Sequence, residues 1–285
     1  MAIPLGDVAF PLYGGGSTAA VTDQLRLRLL HFGGTTIDER WGGHDFTAPH
    51  WRVYLNLDAG AAGCCAAGDA LFLAGHLYVI PAWLPWSGRC RGRVRHINGL
   101  LDLPSLPRDR VARACTRILR LAGPDQPLAE GWLALGVALM AADGPSAIQT
   151  ARGYALAYEA VAAAFVQLGR AADALLAPPG NQRLADVLAW TERHLDQPLS
   201  VASLAHTAGC SQAELARRFQ AGLGTAPGRW LRERRLAKAA DLLRSTTRDL
   251  EDIARACGYR ERSRFSKAFA ALMGCGPATW RRRQG

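Results

Sequence analysis

The pattern of apolar and polar positions divides the chain into three stretches. In the first, short apolar runs are separated by glycine and proline, and Arg52 to Leu57 alternates with the period of two expected of a half-buried strand. The second is rich in alanine and leucine at helical spacings, which favours amphipathic helices. Strands are predicted at Leu25 to Phe32, Trp51 to Leu57, Ala70 to Leu73, Leu77 to Ile80 and Val94 to Leu101, and helices at Arg108 to Leu121, Leu128 to Ala141 and Ala147 to Leu176.

The third stretch contains the same pattern twice between Leu199 and Arg283. An apolar residue and an alanine are followed by a glycine, two apolar positions, a second glycine, a proline and a tryptophan. The copies lie 49 residues apart up to the first glycine and 50 after it. Two short apolar helices joined at a glycine are typical of a helix-turn-helix unit. The first copy is Leu204, Ala205, Gly209, Leu215, Phe219, Gly224, Pro227 and Trp230; the second is Ile253, Ala254, Gly258, Phe265, Phe269, Gly274, Pro277 and Trp280.

The second helix of each copy carries the candidate DNA contacts, because such units place the start of that helix in the major groove. Ser211 and Glu214 have the spacing of a capping box, whereas Arg260 stands where we expect the cap of the second copy. Gln212 is the first candidate for a base contact, and the basic residues are candidates for guanine or phosphate. The candidates are Gln212, Ala213, Arg217, Arg218, Glu261, Arg262, Ser263, Arg264 and Lys267.

The helix expected between the two copies begins near Pro227 and runs to about Arg244. At about 1.5 Å per residue it would span roughly 27 Å. Neighbouring major-groove segments on one face of DNA lie about 34 Å apart. Each recognition helix projects beyond its end of this helix, so one chain is expected to reach two adjacent segments.

The charge is concentrated in the repeat. Residues 1 to 180 hold 15 lysines and arginines against 14 acidic residues, whereas residues 181 to 285 hold 19 against 10. A basic excess confined to one region indicates a polyanionic partner, and short helices with buried faces favour nucleic acid over a membrane surface. Met1 to Phe10 shows no secretory signal, and the seven cysteines lack a C-x-x-C pair. These features predict a cytoplasmic protein with neither a disulfide framework nor a cysteine-based zinc site.

The strand-rich stretch has candidates for a small-molecule site. The histidines His44, His50, His76 and His96 lack a suitably spaced carboxylate, so we interpret them as core or loop residues, and no metal or cofactor is predicted. The aromatic residues form either the core or a ligand cavity. Arg89, Arg91, Arg93 and Arg95 would share one face of an extended segment, as a charged edge strand or an anion site. The candidates for effector binding are Trp41, Trp51, Tyr54, Tyr78, Trp83, Arg91 and Arg93.

The helical stretch carries an apolar stripe from Leu156 to Leu176 that needs a partner, either the chain's own barrel or a second subunit in a homodimer. The run of prolines and glycine from Pro178 to Asn181 predicts a linker. The predicted regions are residues 1–103 for effector sensing, 104–180 for a helical connector and 181–285 for DNA binding. The expected fold class is α+β and multidomain, with a small β-barrel, the connector and an all-α domain of about seven helices.

Leu199 to Arg283 resembles the DNA-binding domain of the AraC/XylS transcription regulators in the segments Gly224 to Pro227, Arg235-Leu236, Ile253-Ala254, Gly258-Tyr259 and Phe265 to Phe269. Pro49 to Tyr54 and Gly75 to Pro81 are similar to the cupin-like effector domains of that family. The resemblance implies two helix-turn-helix units with recognition helices at Ser211 to Gln220 and Glu261 to Phe269, double-stranded promoter DNA and RNA polymerase as partners, and a small-molecule effector. Arg260 departs from the family, which usually has a small capping residue there.

These observations predict an effector-responsive transcription regulator rather than an enzyme. The alternative is a cupin-type enzyme with an attached DNA-binding domain, which metal analysis of the purified protein would distinguish. The DNA-repair methyltransferases that share such a tail need a zinc-held reactive cysteine, and the cysteine spacings here do not supply it.

Overall fold

The computed structural model describes residues 25, 27–41, 45–104, 106–141, 144–176 and 182–284. The predicted linker Pro178 to Asn181 and the candidate His44 lie outside these residues. No helix in the described ranges is both long enough and apolar enough to cross a membrane.

The first region is built from two antiparallel sheets. Strands β1, β8, β3, β6 and β9 form one sheet in that order, and β2, β7, β4 and β5 form the other. Between the described strands no pairing joins the two sheets, so they form a sandwich and do not close into the predicted barrel. The strands are β1 (Arg28–Ile37), β2 (Asp45–Phe46), β3 (Trp51–Asn56), β4 (Ala61–Cys65), β5 (Gly68–Phe72), β6 (Leu77–Ile80), β7 (Trp86–Cys90), β8 (Val94–Asp102) and β9 (Leu119–Ala122).

Strand β3 is buried along its whole length rather than on one face. Tyr54 points between the two sheets with Phe72 and Trp86, whereas Val53 and Leu55 join a second cluster that includes helical residues. The prediction of a half-buried strand was therefore wrong. Alternation in sequence marks two different faces, but packing decides whether the second face meets water or a helix.

The predicted helical connector also contributes to the sheet. Helix α1 (Arg108–Ala114) ends well before Leu121, and β9 follows it and pairs with β6. Helices α2 (Pro127–Met140), α3 (Ala147–Leu168) and α4 (Arg170–Leu176) come next. Leu156 and Val161 on α3 are buried in the same cluster as the sheet residues Val53 and Leu77. The chain's own sandwich therefore covers the apolar stripe of α3.

The last region contains seven helices within residues 182–284, as predicted. Helices α5 to α7 enclose a core with Leu204, Leu215 and Phe219, and the start of α8 closes it with Trp230 and Leu231. The remaining helices share one continuous cluster with the sandwich and its helices. The helices are α5 (Gln182–Arg193), α6 (Val201–Thr207), α7 (Gln212–Leu223), α8 (Pro227–Ser245), α9 (Leu250–Ala256), α10 (Arg262–Met273) and α11 (Pro277–Gln284).

Candidate nucleic-acid interface

The two copies of the sequence repeat fold alike. Gly209 and Gly258 adopt positive φ angles of 59° and 74° in the turns, a conformation that glycine reaches without a steric penalty. Phe219 packs edge-on against Trp230 with ring centroids 5.7 Å apart, and Phe269 packs against Trp280 in the same way at 5.8 Å. The same order of residue types thus produces two similar helix-turn-helix units, α6–α7 and α9–α10.

Helix α7 begins with a side-chain cap. The Ser211 hydroxyl accepts a hydrogen bond from the backbone N–H of Glu214 at 3.2 Å. The Glu214 carboxylate does not return to the backbone of Ser211, because it pairs with Arg217 and Arg218 instead. Hydrogen bonding from Arg218 is the main reason that the pKa of Glu214 lies below its usual value. The predicted capping box is therefore only half formed.

The exposed start of α7 presents Gln212, Ala213 and Arg217 to solvent. Arg218 differs, since only 18% of its side chain is exposed and its Nε donates to Glu214 Oε1 at 2.7 Å. A guanidinium held in this way has little freedom to reach a base. The prediction that Arg218 points outward was thus incorrect in part.

Helix α10 has no side-chain cap. Its N-cap residue is Glu261, which makes no capping hydrogen bond, and the helix begins at Arg262. Glu261 lies 50 residues after Ser211 and occupies the same structural position, so the expectation that Arg260 replaces Ser211 was wrong. The additional residue of the second copy is accommodated in the turn before the helix. Glu261, Arg262, Ser263, Arg264 and Lys267 are all exposed.

Equivalent positions on the two helices carry different charges. With the offset of 50, Arg262 corresponds to Gln212, and Arg264 corresponds to Glu214. Arg264 remains 79% exposed although its Nε lies 3.2 Å from Glu261 Oε2. Two polar or acidic positions of α7 are therefore guanidinium groups on α10, and the second helix presents the more basic surface.

Helix α8 joins the two units without a break. Its 19 residues correspond to about 28 Å at about 1.5 Å per residue. Pro227 opens it and Ser245 ends it, close to the predicted bounds. Arg234 on this helix also reaches the sandwich, where Nη2 donates to Asp102 at 3.1 Å while Nε donates to Glu192 at 2.5 Å. Burial opposes ionisation of Asp102, but Arg234 and Arg28 hold the pKa of its carboxyl below the usual value.

A cavity of about 1090 Å³ opens between the sandwich and the ends of helices α8 and α11. Strands β1, β3 and β8 form one wall, and Arg244, Thr279 and Arg282 from α8 and α11 contribute to the other. The lining holds four arginines, Arg40, Arg52, Arg244 and Arg282. Asp38 is the one carboxylate among its described residues, and Arg40 binds it at 2.7 Å. The described lining thus has three more cationic than anionic side chains, and Arg244 also pairs with Asp241 just outside it.

Neutral imidazoles contribute to this part of the molecule. Burial lowers the pKa of His96 in the cavity lining to about 4, and lowers the pKa of nearby His50 to about 3. His96 Nδ1 lies 2.8 Å from Asn56 Oδ1. His31, also in the lining, has its pKa lowered by burial and by Arg244. No group of three metal-ligating side chains occurs among the residues that the structure describes.

The structure separates the sequence-predicted effector residues. Trp41 and Tyr54 line the cavity, whereas Trp51, Tyr78 and Trp83 are buried outside the lining. Arg91 and Arg93 lie in the turn between β7 and β8, so Arg89 and Arg95 stand on different strands and the predicted single extended face does not exist. Arg89 pairs with Asp69, and Arg95 Nη2 pairs with Asp58 Oδ1 at 2.8 Å.

The cavity arginines were not predicted from the sequence. Arg52 is the one charged residue of β3, between Trp51 and Val53, and that contrast could have identified it. Arg244 and Arg282 gave no such indication, because their place in the cavity depends on how the last region packs against the first.

Comparisons with known proteins agree with this architecture. A family model described as a helix-turn-helix domain matches residues 204–283. Right origin-binding protein of Escherichia coli (strain K12) is 41% identical over 99 residues, which are 35% of this chain and 34% of that protein. Regulatory protein SoxS of the same strain is 36% identical over 100 residues, covering 35% of this chain and 94% of SoxS. The matched part thus spans about a third of the first relative and almost all of the second.

A solved structure extends the similarity beyond the repeat. ToxT from Vibrio cholerae O395 aligns with 89% of this chain and 97% of its own, with a TM-score of 0.55 and 7% sequence identity. At that identity the likeness concerns the fold alone. It shows that a β-rich first region followed by paired helix-turn-helix units is an architecture found in a known protein.

Proposed function

This chain belongs to the AraC/XylS family of transcription regulators, and we propose that it is a cytoplasmic, effector-responsive regulator that reads two adjacent major-groove segments of promoter DNA. The observation that carries the proposal is the placement of two exposed recognition helices, α7 and α10, at the ends of one continuous helix. Residues 181–285 form the DNA-binding region. The sensing region comprises residues 1–103 together with β9 from the connector, and residues 104–180 otherwise serve as the connector.

The exposed side chains divide between base and phosphate contacts. Gln212 at the start of α7 has the amide geometry that suits adenine, and Ala213 allows close approach of the helix to the groove. Arg262, Ser263 and Arg264 occupy the equivalent part of α10, with Lys267 one turn further on. Arg217, Arg218 and Glu261 border these surfaces; Arg218 serves by holding Glu214 rather than by touching DNA. RNA polymerase is a further partner that we propose on the family resemblance; the homodimer predicted from the stripe of α3 stays a prediction, since the sandwich covers that stripe.

The effector site is the cavity between the sandwich and the ends of α8 and α11. The excess of arginines in its lining favours an anionic group, although Arg40 and Arg244 already pair with Asp38 and Asp241, and Trp41, Tyr54 and Trp86 supply aromatic walls for an apolar part. One ToxT structure is described as bound to an unsaturated fatty acid, and a carboxylate with an apolar chain belongs to the same chemical class. Because Arg244 and Arg282 come from the DNA-binding region, a ligand in this cavity would contact both the sensing region and the DNA-binding region.

DNA binding is tested with the full chain by selecting sites from a random DNA library and measuring affinity by fluorescence anisotropy. We expect two half-sites about one helical turn apart. The salt slope, which is the fall in log affinity per unit of log salt concentration, should increase by about 0.9 for each phosphate contact. Arg262→Ala is expected to weaken binding. Arg152→Ala is the matched control, because Arg152 is exposed on α3 and away from both recognition helices. Equal affinity for all sequences would contradict the proposal.

The effector site is tested by thermal shift of the full chain with a panel of carboxylates and phosphate esters that carry apolar chains. Arg282→Gln removes an exposed cavity cation and is expected to reduce the shift of any ligand that stabilises the wild type. The matched variant Arg91→Gln/Arg93→Gln removes cations from the β7–β8 turn and is expected to leave the thermal shift unchanged. The opposite outcome would place the anion site at that turn.

A further inference from the structure

Arg235 lies where the two helix-turn-helix units meet on α8. On its N-terminal side, Trp230 and Leu231 belong to the core of the first unit. On its C-terminal side, Leu236 and Ala239 belong to the cluster that contains the second unit. The side chain of Arg235 is thus placed at the boundary between two separate apolar cores, each of which holds one recognition helix.

The guanidinium is tied to the first unit by hydrogen bonds. Arg235 Nη2 donates to the carbonyl oxygen of Gln197 at 2.8 Å and to that of Leu199 at 3.3 Å. These carbonyls lie in the segment between α5 and α6, directly before Ser200, whose side chain caps α6. Arg235 therefore holds the point at which the chain enters the first helix-turn-helix unit.

The same guanidinium lies against the turn of the second unit. A Cβ atom placed on Gly258 would lie 2.7 Å from Arg235 Nη2 and 2.8 Å from both Cζ and Nε. Nearly equal distances to three atoms of a planar group mean that its face rests on the backbone of Gly258. Glycine at this position thus serves two purposes, because it also adopts the positive φ of the turn. The turn leads directly to α10.

A small pivot of either unit about α8 would change the distance between the recognition helices. Helix α7 has 12 residues, or about 18 Å at about 1.5 Å per residue. A rotation of about 10° would move its far end by about 3 Å. That displacement is comparable with the rise of one base pair, about 3.4 Å. The two hydrogen bonds from Nη2 fix the guanidinium on the first unit, and its close contact with the backbone of Gly258 then limits a pivot of the second unit.

We propose that Arg235 is a positioning residue that braces the two helix-turn-helix units against each other and thereby selects the spacing of the two DNA half-sites. It acts through the segment that leads into the first unit and through the turn of the second unit, and it does not itself contact a base. The inference rests on the proposed DNA-binding function for its effect on half-site spacing, whereas its effect on the relative position of the helices exists without DNA.

The first experiment measures that position in the free protein. Nitroxide labels are introduced through an unnatural side chain at Ala213 and Ser263, which are exposed at equivalent positions of α7 and α10, so that the seven native cysteines are left in place. Electron–electron double resonance then gives the distance distribution. We expect a narrow distribution in the wild type, about a twofold broader one in Arg235→Met, and an intermediate one in Arg235→Lys, which keeps the charge but lacks the planar fork.

The second experiment measures affinity for DNA duplexes in which the spacer between the selected half-sites is changed by one base pair in either direction. In Arg235→Met the preference for the best spacing is expected to fall by about fivefold, the loss typical of one misplaced base contact. The matched control is Arg232→Met, which removes the same charge from an exposed position of α8. It is expected to keep the spacing preference while lowering affinity equally for all spacers.

Unchanged distance distributions in Arg235→Met would overturn the proposal. So would a uniform loss of affinity equal to that of Arg232→Met, because Arg235 would then contribute charge alone. Failure of both Arg235 variants to fold would likewise count against it, since it would indicate a purely stabilising residue. If the wild type binds all sequences equally, the proposed function fails, but the resonance measurement still decides whether Arg235 braces the two units.

Discussion

The two helix-turn-helix units have the same fold but differ in what supports them. The first unit is an independent core closed by the start of α8, with a capped recognition helix and a carboxylate, Glu214, that occupies its neighbouring arginines. The second unit shares a continuous core with the sandwich, and its recognition helix has no side-chain cap and more exposed cations. The comparison indicates that the first unit is suited to base contacts that select sequence. The second unit is suited to phosphate contacts, and its shared core couples it to the conformation of the sensing region.

The largest expected effect concerns the two cores. Phe219→Ala and Phe269→Ala each remove a fully buried ring, and each is expected to lower the free energy of unfolding by about 3–5 kcal/mol. Hydrogen exchange followed by mass spectrometry should show faster exchange in α5 to α7 for Phe219→Ala. For Phe269→Ala it should also show faster exchange in β3 and β8, because they belong to the same cluster. Identical patterns in the two variants would mean that the cores are not distinct.

The next effect uses pH to separate the regions. His50 and His96 have pKa values lowered by burial to about 3 and about 4, so they stay neutral in the folded protein while they gain protons in the unfolded chain below pH 6.5. The two histidines therefore cost no stability above pH 6.5, and the folded protein loses stability as the pH falls below 6.5, down to about 4 for His96 and about 3 for His50. For each histidine the slope is at most about 1.4 kcal/mol per pH unit in that window.

Urea unfolding between pH 7 and pH 5 measures this slope. We expect the sandwich and the second unit to lose stability together, before the first unit, whose His206 is exposed. Substitution of His96 by Gln should remove part of the slope, because the pKa values of His50 and His31 are also lowered by burial. An unchanged slope in a His50→Gln/His96→Gln variant would show that other groups cause it.

The third effect concerns the division of DNA contacts. Arg262→Ala/Arg264→Ala is expected to cost about 1–3 kcal/mol of binding free energy and to lower the salt slope by about 0.9 for each phosphate that is no longer neutralised. Gln212→Ala removes a neutral side chain, so it should relax sequence choice in one half-site and leave the salt slope unchanged. Anisotropy titrations at several salt concentrations measure both quantities. If the DNA affinity and the salt slope of the double variant were unchanged, the assignment of phosphate contacts to α10 would be refuted.

The smallest effect concerns the caps. Ser211→Ala removes the hydrogen bond to Glu214 N–H and should destabilise the first unit by about 1 kcal/mol. Glu261→Ser supplies the missing cap of α10 and should stabilise the second unit by up to about 1 kcal/mol, since the exposed pair of Glu261 with Arg264 contributes little. Thermal unfolding of both variants checks these opposite signs. Stabilisation by Ser211→Ala would show that the cap does not support α7.

Local patterns made the last region predictable. The order of glycine, proline and aromatic residues indicated both turns, the bounds of α8 and the buried faces of α7 and α10, because each of these depends on neighbours a few residues away. The offset between the copies was also visible, but the position of the extra residue was not. Whether Arg260 or Glu261 precedes α10 depends on where the turn ends, and packing around Phe265 fixes that point.

The first region was less predictable, since sheets join residues that are distant in sequence. Arg89 to Arg95 has the alternation of one strand, yet the turn at Gly92 carries the chain from one sheet to the other, and two of its arginines pair with carboxylates of other segments. Strand β9 forms in a stretch whose composition favours helix, because its pairing with β6 outweighs the weak local preference for helix.

The sequence by itself determined the repeated helix-turn-helix units, their recognition helices and the concentration of positive charge around them, since these depend on short-range spacing and composition. The tertiary structure alone decided which charges are available. It brought Arg52, Arg244 and Arg282 to one cavity, joined Arg234 to Asp102, and set the guanidinium of Arg235 between the segment before α6 and the turn at Gly258. The physical reason is that an ion pair or a cavity wall forms between atoms that are close in space, whatever their separation along the chain.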